Sequence, residues 1–551
     1  MMQSPERVLD HPQADSHTIE SLKECSSASD EQAFVSLAET FGRVRQQCSS
    51  LAVLAIPWMY LKHPIHPTQQ WLLNVWREQG RSDTQVFSSH RQTVLGWLRQ
   101  LVRCVGYATY LSIIILGIRL LLYRKLKALR HRHFDIIAKT WCVDRNPPEA
   151  GKDFYYGDLQ QQLVQSARSL LILCGDSTND QWRAFASRHT ITGAMARLSE
   201  WSLLHPLKPW QMVVKQLLAS RRLRRLARRT DDPFMSLVCE RACWDCLTPE
   251  VTETGLFFWI GRTSMLRWHP RTWLILYEGH AWEQCLWHGI RASGKPCTLT
   301  GYHHTVLMLH NRELLQQPSS DDTKLRPDII LCTGNRTQAM LQQSHPDSLV
   351  ISFGSFRRRL ERPIRKPQPA LRSILVLPEG IASEARLLFD TGLCLARLLS
   401  DHQFYFRCHP VLPFEQVGSL LHDRVDRYSN VQVSTKQTIE EDFQRSSIVL
   451  YRGSSAVLYA ILYGLKPIYW HDRVYSDVDP LFEMTLWRER ASSPQVAAEF
   501  LRRYSGLSPE QVIEHWQAAT AYVEQYTHPV TPASIERWLT VLGTNPNGQH
   551  L

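Results

Sequence analysis

The stretch SSIVLYRGSSAVLYAILYGLKPIYW, Ser446 to Trp470, decides the fold. Ile448 to Tyr451 is a short apolar run of the kind that forms a buried strand, and the polar Arg-Gly-Ser-Ser turn after it stops that strand. A helix opens at the serine pair Ser454 and Ser455, and a G-x-x-P step, Gly464 to Pro467, leads into a second strand, KPIYW. Strand, helix and strand in that order is the unit of a parallel sheet, whose strands are covered on both faces and read as unbroken apolar runs.

The same rhythm extends outward. SILVLPEG (Ser373 to Gly380), FYFRCHP (Phe404 to Pro410) and VQVST (Val431 to Thr435) precede the stretch. Before them a proline-spaced, arginine-rich segment, 357–370, reads as a linker. On its other side SLLILCGD (Ser169 to Asp176), GLFFWIG (Gly255 to Gly261), TWLILYEG (Thr272 to Gly279), PCTLTGYHH (Pro296 to His304), DIILCTG (Asp328 to Gly334) and SLVISFGS (Ser348 to Ser355) form another series. LAVLAIPWMYL, from Leu51, reads as its first strand. The fold class is therefore α/β, with two doubly wound, Rossmann-like domains, 49–356 and 371–551, the second including the C-terminal helices. Residues 1–48 read as an acidic, disordered extension. In such folds ligands bind outside the carboxyl ends of the strands, so the residues just after each run are the candidates.

With 551 residues, 44% hydrophobic and 21% charged, the chain has room for two or three domains and is neither a disordered tail nor a fibrous repeat. A net charge of +11 favours anionic partners without choosing among them. The 13 cysteines show no periodic framework, and with no secretory leader in view the expected location is cytoplasmic. Between Asp83 and Asp135 no acidic residue occurs, and CVGYATYLSIIILGIRLLLY (Cys104 to Tyr123) lies there between basic flanks. It matches the roughly 20 residues needed to cross hydrocarbon, but Arg119 inside it would cost about 2.5–3.5 kcal/mol if centred. A basic, apolar helical insertion around 90–133 that lies in the membrane plane, peripheral or monotopic at the inner face of the cytoplasmic membrane, stands against an ordinary core helix. SRRLRRLARR (Ser220 to Arg229) is a second basic helix; with 104–133 it forms a candidate anionic-membrane surface, or else a solvated face. Nucleic acid is not an expected partner, because the basic runs lack interleaved aromatic residues.

RCHP (Arg407 to Pro410), followed about forty residues later by RGSSAVLYAILYGLKPIYW, resembles the nucleotide-binding half of GT-B glycosyltransferases. More narrowly it is similar to the bacterial capsule and surface-polysaccharide enzymes, sialyl-, Kdo- and CDP-glycerol-transferase-like, that carry an HP motif and a double serine. YEGHAWE (Tyr277 to Glu283), GYHHT (Gly301 to Thr305) and the passage from PDIILCTG to SFGSFR resemble the acceptor half. The resemblance implies a cleft between the domains and an inverting, metal-independent transfer of a sugar from a nucleotide-activated donor to a surface polysaccharide or lipid-linked glycan.

The residues suit that chemistry. A departing nucleotide phosphate gains charge, and Gly453, Ser454 and Ser455 offer N–H and O–H donors to it, while His409, aimed by Pro410, is poised to donate near neutrality. An acceptor hydroxyl needs a base; Glu278, after the strand WLILY, is the candidate, with Glu283 as fallback and His303 or His304 lining the same cleft, at most one of the adjacent pair facing it. The structural alternatives are that Ser454 caps a helix, that His409 ends a strand and that Glu278 pairs with an arginine.

Two features depart from the family: Tyr459 stands where many GT-B enzymes carry a ribose-binding glutamate, and the insertion around 90–133 has no counterpart in a minimal acceptor domain. Cys239, Cys243 and Cys246 have the C-x-x-x-C-x-x-C spacing of an iron–sulfur motif, but on a mid-chain helix they read as buried thiols. No cofactor is expected, nor a metal: no D-x-D ends a strand before the linker, and Asp477 and Asp479 read as loop residues. A CDP-polyol phosphotransferase, with Arg357 to Arg362 supplying extra cations, and a catalytically degenerate scaffold with membrane or protein contacts are the competing readings.

Overall fold

A computed structural model describes residues 27–56, 94–142, 153–166, 168–176, 188–308, 314, 325–357, 365–410, 412–471 and 478–543. Within them stand two largely parallel sheets. The first joins β1 (Ile136–Cys142), β2 (Leu170–Asp176), β3 (Ile191–Thr192), β4 (Met195–Ser199), β5 (Thr272–Leu276), β6 (Thr298–Tyr302), β7 (Ile329–Cys332) and β8 (Leu349–Ser352) in the order β3-β4-β2-β1-β5-β6-β7-β8. The second joins β9 (Ser373–Leu377), β10 (Gln403–Phe406), β11 (Val431–Val433), β12 (Ile448–Tyr451), β13 (Lys466–Trp470) and β14 (Glu489–Ala491) in the order β11-β10-β9-β12-β13-β14. Only the β3–β4 pair is antiparallel. The two doubly wound domains expected from the sequence are present, and β12 and β13 are the neighbouring parallel strands read from Ser446 to Trp470.

Four expectations are corrected. Gly255 to Gly261 is not a strand but the centre of the helix Pro249–Trp268. Within that run every residue but Phe258 is buried, so it shows no helical period, and its glycines are contact points: a Cβ on Gly261 would lie 2.4 Å from the Leu286 carbonyl oxygen of the helix Ala281–Arg291. Leu51 begins a short helix, Leu51–Leu54, capped by Ser50; the rest of the expected first strand, 57–61, lies outside the described residues. The extension is not disordered throughout, because Ser27–Gln47 is a helix that places Leu37, Phe41 and Val44 in the first core; residues 1–26 lie outside the described residues.

The fourth correction is the most consequential for the architecture. The helix Pro509–Tyr526 packs in the second core through Trp516 and Val523. The chain then crosses back: Ser355 N–H donates to the His528 carbonyl at 2.7 Å, and His528 N–H to that of Thr333 at 3.0 Å. The last helix, Pro532–Gly543, therefore belongs to the first domain, where Ile535 and Trp538 are buried against Phe353 and β6.

Of the strands missed from the sequence, β1, β3, β4 and β14, the first lies at the centre of the first sheet. IIAKTWC hides a lysine: Lys139 is 1% exposed, pairs with the buried Glu200 at 3.1 Å and sits 3.2 Å from the centre of the Trp141 ring. Burial pushes the ammonium down and the carboxyl up, and each partner opposes that shift in the other.

Candidate active site

In the second domain the topology does the first work. Strand β9 lies between β10 and β12, so the loops after these three strands converge. They carry Glu379, His409 with Pro410, and Gly453 to Ser455. Gly453 has φ +69°, and a Cβ there would fall 1.3 Å from Glu379 Oε1, so glycine alone lets this carboxyl lie against the turn. Behind the turn Arg452 pairs with Glu384 at 2.7 Å, both buried. Burial first, then the Glu384 charge, push the Glu379 carboxyl up to about 8, with Arg452 opposing. His409 and Pro410 are exposed at their surfaces; crowding by protein, then the Arg357 charge, hold the imidazole below its usual value, so it is chiefly neutral at pH 7. Ser455, not Ser454, caps the helix Ala456–Leu462, and its side chain makes no capping hydrogen bond.

In the first domain β5 and β6 end beside each other. Glu283, fully buried, accepts N–H bonds from Glu278 at 2.9 Å, Gly279 at 3.0 Å and His280 at 3.1 Å. That is the work of a loop clamp and leaves no role for Glu283 as a base. Gly279, at φ +82°, turns the chain so that Glu278 projects from the clamp. The Glu278 carboxylate, 25% exposed, lies between two imidazoles: Oε1 is 3.1 Å from His304 Nε2 and Oε2 is 3.2 Å from His280 Nε2. Burial pushes His304 down to about 3, more than the Glu278 charge lifts it. His304 is thus neutral, and in the tautomer protonated on Nε2 it donates to Glu278. His303 is fully buried behind the strand end, so the adjacent histidines do point different ways.

The two sides share a small cavity that is open to solvent. His304, Thr305 and Thr333 line it from the first domain, Ser455 and Tyr459 from the second, and Tyr526, Thr527 and Arg357 from the crossings. Ser455, Tyr459 and His304 are thereby brought together, whereas Ser454 is half-buried off the cavity wall. Asp479 lies in a loop but is buried, accepting from Tyr451 Oη at 2.6 Å and Leu481 N–H at 2.9 Å and paired with Arg488. Asp477 lies outside the described residues. Cys239, Cys243 and Cys246 are buried thiols, and burial pushes Cys239 up to about 12.

Sequence reasoning missed Glu379, although it follows a strand as Glu278 does, and it placed Arg357 in a linker. It also missed Tyr155, whose ring meets His304 edge-on at 4.9 Å; nothing in its local sequence marks it.

The chain matches no protein-family model and no curated protein. Among solved structures it is similar to the glycosyltransferase of kitacinnamycin (TM-score 0.42, 11% identity, covering 74% of this chain and 100% of that one). It is also similar to an α,α-trehalose 6-phosphate synthase from Burkholderia multivorans (TM-score 0.39, 8% identity, 75% and 96% covered) and to MurG of Acinetobacter baumannii (TM-score 0.35, 9% identity, 74% and 99% covered). At these scores the likeness carries no argument about function, which has to come from the residues of the site.

Proposed function

We propose that this protein is an inverting, metal-independent glycosyltransferase that moves a sugar from a nucleotide-activated donor to a surface polysaccharide or lipid-linked glycan. The observation that carries this reading is a carboxylate at the carboxyl end of β5, hydrogen-bonded by imidazoles and beside the cavity whose opposite wall is Ser455 and Tyr459. Glu278 deprotonates the acceptor hydroxyl while the C1–O bond to the nucleotide phosphate breaks and the new C1–O bond forms on the opposite face. The neutral Nε2–H of His304 orients Glu278 without neutralising it. On the other side Ser455 and His409 donate to the departing phosphate.

An acceptor held at a membrane suits the first domain. Within the helix Val94–Leu121, the segment Gly96–Leu121 is long and apolar enough to cross a membrane, and 28% of its most apolar stretch is buried. Leu111, Ile115 and Ile118 sit in the core, and Arg119 donates to the Leu204 carbonyl at 2.8 Å. A helix tied to a core along one side lies on a bilayer rather than through it. Its outer side exposes Val102, Ile113 and Leu120, the helix Lys208–Ala227 exposes Val214 and Leu218, and Arg221, Arg222, Arg224 and Arg225 are exposed beyond them.

A thermal-shift screen of the full chain against CMP, CDP, UDP, GDP and their sugar conjugates tests the donor half of the reading. Stabilisation by one nucleotide class, lost in His409→Ala and in Ser455→Ala, is the expected result. A flat response from folded protein refutes it and favours the degenerate scaffold.

A further inference from the structure

We propose that Arg357 is the anion receptor of the cavity, binding a phosphate or carboxylate oxygen of the ligand where the two domains meet. This builds on the donor reading above and narrows the ligand to one carrying an oxyanion at that point.

Arg357 ends the first domain and reaches the cavity between His304 on one wall and Ser455 and Tyr459 on the other. Its guanidinium carbon lies 4.8 Å from the centre of the Phe154 ring and 5.4 Å from that of Tyr155, so aromatic faces hold it in place. Its backbone N–H is fixed by Ser355 Oγ at 3.3 Å.

Among the described residues Arg407 pairs with Asp442, Arg452 with Glu384 and Arg488 with Asp479. Arg357 has none among the described residues, and its Nε is buried without a hydrogen-bond partner. A positioned, partly desolvated cation without a counter-ion is costly unless a ligand supplies one. The charge is felt across the cleft, since it helps hold both His304 and His409 below the ordinary imidazole range. Guanidinium geometry matches two oxygens of one phosphate or one carboxylate. The same fork would take the phosphate of a nucleotide donor, the phosphate of an activated polyol or the carboxylate of an acidic sugar.

Titration calorimetry on the full chain separates these sources. The probes are inorganic pyrophosphate, glucuronate, and uridine and cytidine with and without their phosphates. The proteins are wild type, Arg357→Met, which keeps an apolar stem against Phe154, and Arg357→Lys, which keeps the charge. Each variant is first matched to wild type in circular dichroism.

The expected result is that Arg357→Met weakens an oxyanion probe by about 10- to 100-fold, that Arg357→Lys recovers part of the loss and that bare nucleosides are unaffected. Loss confined to pyrophosphate and the nucleotides assigns a phosphate; loss confined to glucuronate assigns a sugar carboxylate. Wild type that binds no oxyanion, or an Arg357→Met variant that binds all of them as wild type does, overturns the proposal. If Arg357→Met binds nucleotide normally while His409→Ala and Ser455→Ala do not, the anion receptor falls and the donor site stands. If pyrophosphate binding depends on Arg357 but no nucleotide binds, the receptor stands and the donor reading falls.

Discussion

Two glutamates at strand ends divide the labour by environment. Glu278 accepts from a neutral histidine that lines the cavity, whereas Glu379 is crowded against Gly453 and is protonated at neutral pH. Replacing Glu278 by Gln keeps the shape and removes the base, so kcat for transfer falls by about 10²- to 10⁴-fold while nucleotide binding is retained, measured by initial rates and calorimetry. Glu379 makes a prediction about pH. Its carboxyl is raised from the ordinary range to about 8, so the folded state favours the neutral form, and stability declines as pH rises from about 4.5 to 8. Above pH 8 its charge, with that of Glu384 behind it and Arg452, His409 and Arg357 as the opposing or neutral groups, also repels a donor phosphate. Glu379→Gln should therefore raise the melting temperature progressively between pH 5 and 8 and remove the loss of nucleotide affinity above pH 8. A wild-type affinity already flat across that range contradicts the assignment. Glu278 was legible from sequence because a carboxylate after a buried strand is conspicuous beside a motif. Glu379 obeys the same rule but owes its protonation first to burial, then to the Glu384 charge, and part of that burial is packing against the turn at Gly453, seventy-odd residues away, which no local pattern contains.

Elements that are apolar all round lose their period, and that explains the misread helix as well as the ambiguous one. Pro249–Trp268 is enclosed by neighbouring helices and meets Ala281–Arg291 so closely that a Cβ on Gly289 would sit 1.9 Å from the Phe258 carbonyl oxygen. Gly289→Ala forces those helices apart, and a loss of about 2–4 kcal/mol is expected in urea unfolding, where an ordinary helix would gain from alanine. Since the helix Ala281–Arg291 begins at the Glu283 clamp, the same change should also lower kcat. The long helix Val94–Leu121 was legible as a membrane candidate, but its manner of contact depends on which side the core takes. Ile113 and Leu120 point outward, at 64% and 68% exposure. An Ile113→Asp, Leu120→Asp double variant should leave the melting temperature within about 1 °C of wild type and abolish co-sedimentation with vesicles rich in phosphatidylglycerol. Co-sedimentation unchanged in the variant removes this helix from the membrane reading.

At the scale of the whole molecule the strand rhythm made both sheets readable, yet it said nothing about the return of the chain, because a helix does not announce which domain it will cover. The return matters to the site. Thr527 and Tyr526 line the cavity, Thr333 Oγ1 donates to the Tyr526 carbonyl at 3.1 Å, and Leu307 N–H donates to Tyr526 Oη at 2.6 Å. Past this crossing Trp538, fully buried, locks the last helix to the first sheet. Each domain is thus held by a segment continuous with the other, and the cavity lies between the two crossings. Trp538→Ala leaves the second core untouched and opens a void in the first, at about 3–5 kcal/mol. Calorimetric melting should then show a first-domain transition displaced to lower temperature, with a second transition that nucleotide still shifts upward. Transfer should fall more than nucleotide affinity does, because acceptor and base are carried by the loosened domain. A single transition that moves as a whole would instead mean that the crossings weld the two domains into one cooperative unit, and that donor and acceptor halves of the site are stabilised together.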